Sequence, residues 1–542
     1  MAKTMKEDAV PVERQWTPRV DARFLRRLAE EAACALGRPD LEVEAPFTGE
    51  TLGTVPLGAP DDMRAAIERA RVAQRAWAAT DVHARAAVLL GFHDLLIANV
   101  HEVLDLIQLE LGKSRKHAYD EVLDIAVTAR YDAHVAAGCL RPHVRQGALP
   151  LLTVATEYRR PKGVVGVIAP WNFPLILSIT DALAALVGGN AVVLKPDSQT
   201  PYTALWTARL LREAGLPDGV LQVVTGRGSE LGPELIGGSD YLMFTGSTAT
   251  GTLLAQEAAA RLIDFSMELG GKNPAIVLDD APFGVTVGGT TLGVSAVDGL
   301  TFGIASGAGQ VCVSIERLYV QDGVYDRFVP ALAEALGALR LGPALDLSVD
   351  VGSLASAEQL AKVGGHVEDA VAKGARVLTG GRPRPDLGPY FYEPTLLEGV
   401  TDEMELFRAE TFGPVCSVYR FSDVDEVLDR VNDTTYGLNA SVWSRDVRRA
   451  KAIAARIEAG TVGINDSYQA TWASTSPMGG FKESGVGRRH GRGGILRFTE
   501  AQAIAVERLN PIDRIPFLDN ERYVQVMTPL IKLMKYLHPV IK

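Results

Sequence analysis

Apolar residues recur at three- and four-residue steps through the first quarter of the chain: Leu89, Phe92, Leu95 and Leu96, then Val103, Leu104, Ile107 and Leu111. That period puts them on one helical face and predicts amphipathic packing helices over 61–80 and 83–137, core and surface faces without chemistry. From Gly163 the texture changes. Short buried runs, Val164–Ala169, Ala191–Leu194, Val220–Val224, Tyr241–Phe244 and Ala275–Leu278, have helix-length segments between most of them. Such alternation predicts βαβ units and a parallel sheet covered on both faces, so the fold class is α/β. A second cycle fills roughly Asp280 to Gly480, with strands at Arg317–Val320, Arg376–Leu378, Val415–Tyr419 and Thr461–Ile464. Between the helical and sheet regions, Leu140 to Arg160 reads as an extended ribbon, through the alternating run Leu151-Leu152-Thr153-Val154-Ala155-Thr156-Glu157-Tyr158, and Gln502–Ala505 offers it a partner strand.

Beyond Asn510 the pattern differs, for Leu530, Ile531, Leu533, Met534 and Leu537 mix with Lys532, Lys535 and Lys542. A short basic amphipathic helix of this kind can lie on an anionic membrane surface, but such a stripe more often packs on a neighbouring subunit.

Composition narrows the classes. At 542 residues the chain exceeds one ordinary core, so two or three domains are expected. A net charge of -11 disfavours a broad phosphate-neutralising face, and nucleic acid is not an expected partner. The four cysteines, Cys34, Cys139, Cys312 and Cys416, form no C-x-x-C pair and have no histidine at ligand spacing. Neither a disulfide framework nor a metal site is expected. Met1 to Arg14 is charged and lacks an apolar signal core, which points to the cytoplasm. The longest apolar stretch, Gly163 to Ile179, is interrupted by Pro170, Trp171, Asn172 and Pro174, so no transmembrane segment is expected.

Candidate chemistry centres on Cys312. It follows Gly309-Gln310-Val311, a small and flexible run that a substrate can approach, and lies downstream of Met267-Glu268-Leu269-Gly270-Gly271-Lys272. The pair nominates a thiol nucleophile, Cys312, and a carboxylate base, Glu268. In Pro170-Trp171-Asn172-Phe173-Pro174 two prolines fix a turn, and the Asn172 amide could donate to a developing oxyanion. Lys195 and Ser198 follow a strand where a nucleotide ribose or phosphate could lie, while Gly246 and Ser247 open a helix whose first amides suit a pyrophosphate. Glu410 and Phe412, two residues apart, could serve a ribose and a nicotinamide ring. Taken alone, the Pro170–Pro174 and Lys195–Ser198 runs read more readily as a rigid turn and a surface lysine after a strand, and those at Gly246–Ser247 and Glu410–Pro414 read also as a helix cap and a capped turn. Gly226-Arg227-Gly228 lacks the full dinucleotide fingerprint and reads only as a turn.

In this order, Pro170–Pro174, Lys195–Pro196, Phe244–Gly251, Glu268–Lys272, Gly309–Cys312, Glu410–Pro414, Asn432–Leu438 and Pro477–Gly485 resemble the aldehyde dehydrogenase superfamily over roughly 40–505. The resemblance implies a Rossmann-like cofactor domain (1–139 and 160–279), a catalytic α/β domain (280–480) and a β-ribbon oligomerisation arm (140–159 and 481–509), with the amphipathic tail at 510–542. It implies a homodimer or homotetramer. It also implies that Cys312 attacks the aldehyde, that Asn172 and the Cys312 amide hold the oxyanion, and that Glu268 activates the water that releases a carboxylic acid. Trp171, Lys195, Ser198, Gly246, Ser247, Glu410 and Phe412 would line the cofactor.

Ser198 stands where NAD-preferring relatives usually carry Glu, which repels a 2′-phosphate; this predicts NADP, with NAD as a second acceptor. Leu194–Pro201, Tyr241–Ser247 and Gly485–Gly491 look most like bacterial NADP-dependent succinate-semialdehyde dehydrogenases. Two departures follow. The arginines that hold a distal carboxylate in better-known semialdehyde enzymes are missing, since Leu175–Leu186 has none and Ser306 stands upstream of the thiol. The gap from Glu268 to Cys312 is long, with a surplus around 284–291 where relatives have a helix, and this could displace the helix carrying the thiol. The competing expectations are oxidation of a longer apolar or aromatic aldehyde, and a non-catalytic binding protein on the same fold.

Overall fold

The computed structural model describes residues 19–147, 153–287, 290–468, 472–508 and 517–536. The helical region resolves into Pro60–Ala79, Val82–Ala98, Val100–Leu111 and Arg115–Leu140. The third of these stops at Gly112, whose φ of +76° suits glycine. Val82–Ala98 and Val100–Leu111 are bent by 75° and bury Leu89, Phe92, Leu96, Val103 and Ile107 in the core. No single helix among the described residues is long and apolar enough to cross a membrane.

Two sheets carry the molecule. The first runs, edge to edge, Gly485–Val486, Asp264–Glu268, Tyr241–Thr245, Val164–Ile168, Ala191–Lys195, Leu221–Val223, and all its pairings are parallel except that of Gly485–Val486. Four of its strands, Val164–Ile168, Ala191–Lys195, Leu221–Val223 and Tyr241–Thr245, fall in the predicted runs, and the first two and the last are largely buried because helices cover both faces; Asp264–Glu268 and Gly485–Val486 lie outside those runs. From the Val164–Ile168 strand the chain first adds Ala191–Lys195 on one side, then Tyr241–Thr245 on the other. This reversal opens a crevice at the carboxyl ends of those strands. The Pro170–Pro174 and Gly246–Ser247 turns flank it.

The second sheet has the order Arg376–Thr379, Thr395–Glu398, Val415–Phe421, Ile315–Gln321, Asn273–Val277, Asn439–Trp443, Thr461–Ile464. One grouping by sequence is corrected here: the Ala275–Leu278 run belongs to this sheet, at its centre, and not to the first. After Glu268 the chain crosses between sheets at Gly270–Gly271, so the changeover lies there and not after residue 279. A buried run reveals a strand but not the neighbour with which it pairs.

The ribbon is a three-stranded antiparallel sheet of His143–Gln146, Thr153–Pro161 and Thr499–Glu507, with Thr499 opposite Pro161 and Glu507 opposite Thr153. Leu151 and Leu152 of the alternating run lie outside the described residues, as do Met1 to Arg14 and Leu537. From Glu500 onward the outer strand is exposed along its whole length. Within 481–509, Gly485–Val486 pairs with the first sheet, a contact that the arm assignment did not anticipate.

The surplus before Cys312 forms a hairpin of Phe283–Val287 with Thr290–Ser295, in place of a helix. Its ends close on each other, because the Ala296 N–H donates to the Pro282 carbonyl at 2.8 Å. Ser295 then caps the helix Ala296–Ala305 by accepting from the Asp298 N–H. The extra residues thus leave as a loop and return at the point of departure. The tail contains a helix, Asn520–Met534, that buries only Met527 and exposes Val524, Ile531 and Leu533.

Candidate active site

Cys312 sits on a turn, not on a helix: Ala296–Ala305 ends, a short 3-10 turn follows at Ser306–Gly309, and the thiol precedes the strand Ile315–Gln321. Gly309 has φ of +70°, and a Cβ there would lie 2.2 Å from the Gly413 carbonyl carbon, so this turn tolerates only glycine. The Asn273 side chain donates to the Cys312 and Ser314 carbonyls, both at 2.8 Å, tying the thiol's backbone to the central strand. A side chain at Gly271 would collide with the Cys312 carbonyl, its Cβ only 2.7 Å away. The double glycine therefore lets the two sheets meet at the nucleophile.

One cleft, of about 190 Å³, is lined by Trp171, Asn172, Gly246, Ser247, Glu268, Cys312, Glu410 and Phe412. Eight of the ten residues nominated from sequence converge here. The insertion has not displaced the thiol, which faces the same space as Glu268. Glu268 ends the strand Asp264–Glu268, is 4% exposed, and neither carboxylate oxygen has a hydrogen-bond partner among the described residues. Burial raises its pKa to about 7 against the pull of Arg489. Burial, reinforced by the Glu410 and Glu268 charges, pushes the Cys312 thiol up to about 12. At neutral pH the thiol therefore keeps its proton.

Asn172 follows the central strand of the first sheet, and its Nδ2 donates to the Gln310 carbonyl at 2.9 Å. That bond aims the carboxamide at the nucleophile turn and engages one of its two N–H groups. Glu410 accepts from the Gly271 N–H at 2.8 Å, and burial raises it to about 7. Phe412 has φ of +56°, a conformation costly for a side chain. The Glu316 carboxylate accepts from the Thr411 and Phe412 N–H groups, and Gln359 donates to the Phe412 carbonyl. So held, the Phe412 ring meets Trp171 edge to face at 5.5 Å between centroids.

Lys195 and Ser198 stand apart from this cleft, at the end of the next strand. Lys195 is 4% exposed, and among the described residues no carboxylate lies within ion-pair distance; burial lowers its pKa. A buried ammonium without a partner fits an anionic ligand group. Ser198 donates to the Gly226 carbonyl at 3.1 Å, and the Lys195 Nζ lies 3.7 Å from where a Gly228 Cβ would stand. The Gly226–Gly228 turn, given no role from sequence, thus borders the same place. Ser247 caps the helix Thr248–Ala260 by accepting from the Thr250 N–H, as its position in the turn predicts.

Against this geometry the comparisons are decisive. The aldehyde dehydrogenase family model matches residues 35–504. The chain belongs to the aldehyde dehydrogenase family. It is an NAD(P)-dependent aldehyde dehydrogenase, an oxidoreductase with the family's α/β fold. A Mycolicibacterium smegmatis protein provisionally named succinate-semialdehyde dehydrogenase (NADP+) is 48% identical over 92% of this chain and 95% of its own length. Glutarate-semialdehyde dehydrogenase of Pseudomonas aeruginosa is 39% identical over 86% of this chain and 94% of its own. The crystal structure of succinate-semialdehyde dehydrogenase from Burkholderia pseudomallei superposes with a TM-score of 0.82 at 35% identity, over 88% of this chain and 96% of that one.

Sequence reasoning missed one functional neighbour. Arg489 lies within Gly485–Gly491 with no local signal of a role, yet it is buried, and its Nε lies 3.9 Å from Glu268 Oε1. The antiparallel pairing of Gly485–Val486 with Asp264–Glu268 brings it there, a contact across more than 200 residues that no local pattern signals.

Proposed function

We propose that this enzyme oxidises succinate semialdehyde to succinate with NADP, NAD serving as a second acceptor. The observation that carries the chemistry is that Cys312, Glu268 and Asn172, drawn from separate segments, line one cleft. Cys312 Sγ forms a bond to the aldehyde carbon as its proton passes to solvent, and the carbonyl oxygen takes the charge. Asn172 Nδ2 and the Cys312 N–H donate to that oxyanion. The nicotinamide, when bound, supplies the hydride acceptor. Glu268 then removes a proton from the water that attacks the thioester carbon, the carbon–sulfur bond breaks, and the carboxylic acid leaves.

The name of the M. smegmatis relative supports the substrate and NADP, and Lys195 beside the small Ser198 supports the 2′-phosphate. A specific observation favours a second substrate. Val311, Val313, Tyr468 and Met478 cluster with Phe173, Phe302, Trp472 and Cys312, and the Ser306 hydroxyl is bonded to Tyr468. The helix Ile176–Val187 contributes no cation. These surroundings suit a longer apolar or aromatic aldehyde. Nicotinamide reduction measured with both cofactors over an aldehyde panel decides: succinate semialdehyde with NADP should give the highest kcat/KM, and faster turnover of apolar aldehydes at equal concentration selects the second reading.

The assembly we propose is a homodimer or homotetramer joined through the exposed outer strand Thr499–Glu507. A strand edge that is unpaired among the described residues and carries Ile504 and Val506 invites a partner. The cytoplasm is the proposed location. A membrane surface contact through the exposed apolar side of Asn520–Met534 is the less favoured role for the tail.

A further inference from the structure

Glu268 is a buried carboxylate without a hydrogen-bond partner among the described residues, and such a group has no intrinsic reason to hold one orientation or one charge state. The charged groups around it come from four directions. Arg488 and Arg489 follow the strand Gly485–Val486, Arg497 follows the helix Gly491–Leu496, Asp181 projects from the helix Ile176–Val187, and Cys312 faces it from the second sheet. Asp124, on the helix Arg115–Leu140, acts on Arg489.

Among these, Arg489 alone is an ion-pair neighbour of Glu268 within 4.0 Å among the described residues. Its backbone is pinned by reciprocal bonds with Met478, the N–H donating at 2.8 Å and the carbonyl accepting at 3.0 Å. Its Nη2 donates to Asp181 at 3.0 Å and to Thr245 Oγ1 at 3.2 Å. Asp181 is fixed in turn by Arg497. The guanidinium is thus clamped at one end, while its Nε, also without a bonded partner among the described residues, faces Glu268.

We propose that Arg489 is the positioning residue of the catalytic base: held by Asp181 and Thr245, its guanidinium orients the Glu268 carboxylate by charge attraction and favours the ionised form that activates water. Arg489 touches neither aldehyde nor cofactor in this role. Asp181 opposes it, since its negative charge disfavours a second one at Glu268. The two substitutions therefore have opposite signs. Removing the cation leaves burial and the Asp181 charge acting on Glu268, whereas removing the Asp181 charge leaves the cation unopposed.

The inference rests on Glu268 serving as the base, so Glu268→Gln is measured in parallel. The readouts are the pre-steady-state burst of nicotinamide reduction, which reports acylation and the folded fraction, and the steady-state rate between pH 5.5 and 10. Arg489→Gln should retain the burst while the midpoint of the steady-state limb moves up by about 1–2 units, lowering turnover at pH 7 roughly 5- to 50-fold. Arg489→Lys, which keeps the charge, should restore the midpoint, and Asp181→Asn should move it down. Burst and steady state falling together with an unmoved midpoint would make Arg489 a structural residue and overturn the proposal. Should Arg489→Gln fail to fold, an unmoved midpoint in Asp181→Asn overturns it. If Glu268→Gln keeps both turnover and the pH limb, the base assignment itself falls. If it loses them while the Arg489 and Asp181 variants leave the limb in place, only this inference falls.

Discussion

In the proposed mechanism Cys312 and Glu268 divide the reaction in time, and their environments predict how each half responds to change. Cys312→Ala should lose aldehyde oxidation altogether, because no other residue in the cleft can form the thioester. Glu268→Gln should instead leave a stoichiometric burst of reduced cofactor and lower the steady-state rate by about 10²–10⁴, the usual contribution of a general base. Stopped-flow absorbance separates the two. The pH dependence follows from the Glu268 value near 7. A base works deprotonated, so hydrolysis of the thioester should rise with pH through 7 and level above 8, with the burst amplitude kept on the acid side. A steady-state rate that is flat from pH 6 to 8 would assign water activation to another group.

At the scale of elements, the proposed determinant of cofactor choice is the turn after the strand Ala191–Lys195. Ser198 is neutral and short, its hydroxyl occupied by the Gly226 carbonyl, and Lys195 is the nearby cation. Ser198→Glu should raise the KM for NADP at least about tenfold and lower that for NAD, by repelling a 2′-phosphate and accepting ribose hydroxyls. Initial rates with both cofactors test this. Several strands of both sheets could be read from the chain because burial on two faces leaves a continuous apolar run, but Asp264–Glu268, Thr395–Glu398 and Asn439–Trp443 escaped that reading. The sheet to which Asn273–Val277 belongs could not be read, since pairing is a choice between distant partners. The hairpin at 283–295 was visible only as surplus length. Its ends meet through the Pro282–Ala296 closure, a tertiary bond without a sequence signature. Five of the eight candidates in the cleft, Trp171, Asn172, Gly246, Ser247 and Glu268, end or follow first-sheet strands at their carboxyl edge, which is the general rule for such sheets, whereas Cys312, Glu410 and Phe412 precede second-sheet strands. Arg489 escaped because its position depends on one short antiparallel pairing.

For the whole molecule, the exposed strand Thr499–Glu507 predicts assembly. Ile504→Lys combined with Val506→Lys should shift the particle to a smaller mass in light scattering while the far-ultraviolet spectrum is retained, since like charges brought across a strand edge oppose pairing. An unchanged mass would place the contact elsewhere. Thermal stability carries a separate mark of function, at Phe412. Its left-handed backbone is kept in place by Glu316 and Gln359 so that the ring meets Trp171. Phe412→Gly and Phe412→Ala both delete the ring, so cofactor affinity should fall alike in the two. Glycine, however, accepts that backbone without the penalty of about 1 kcal/mol that alanine still carries, and the glycine variant should melt higher. The enzyme forgoes some heat resistance at a single peptide unit to keep one aromatic face where a flat heterocycle can rest.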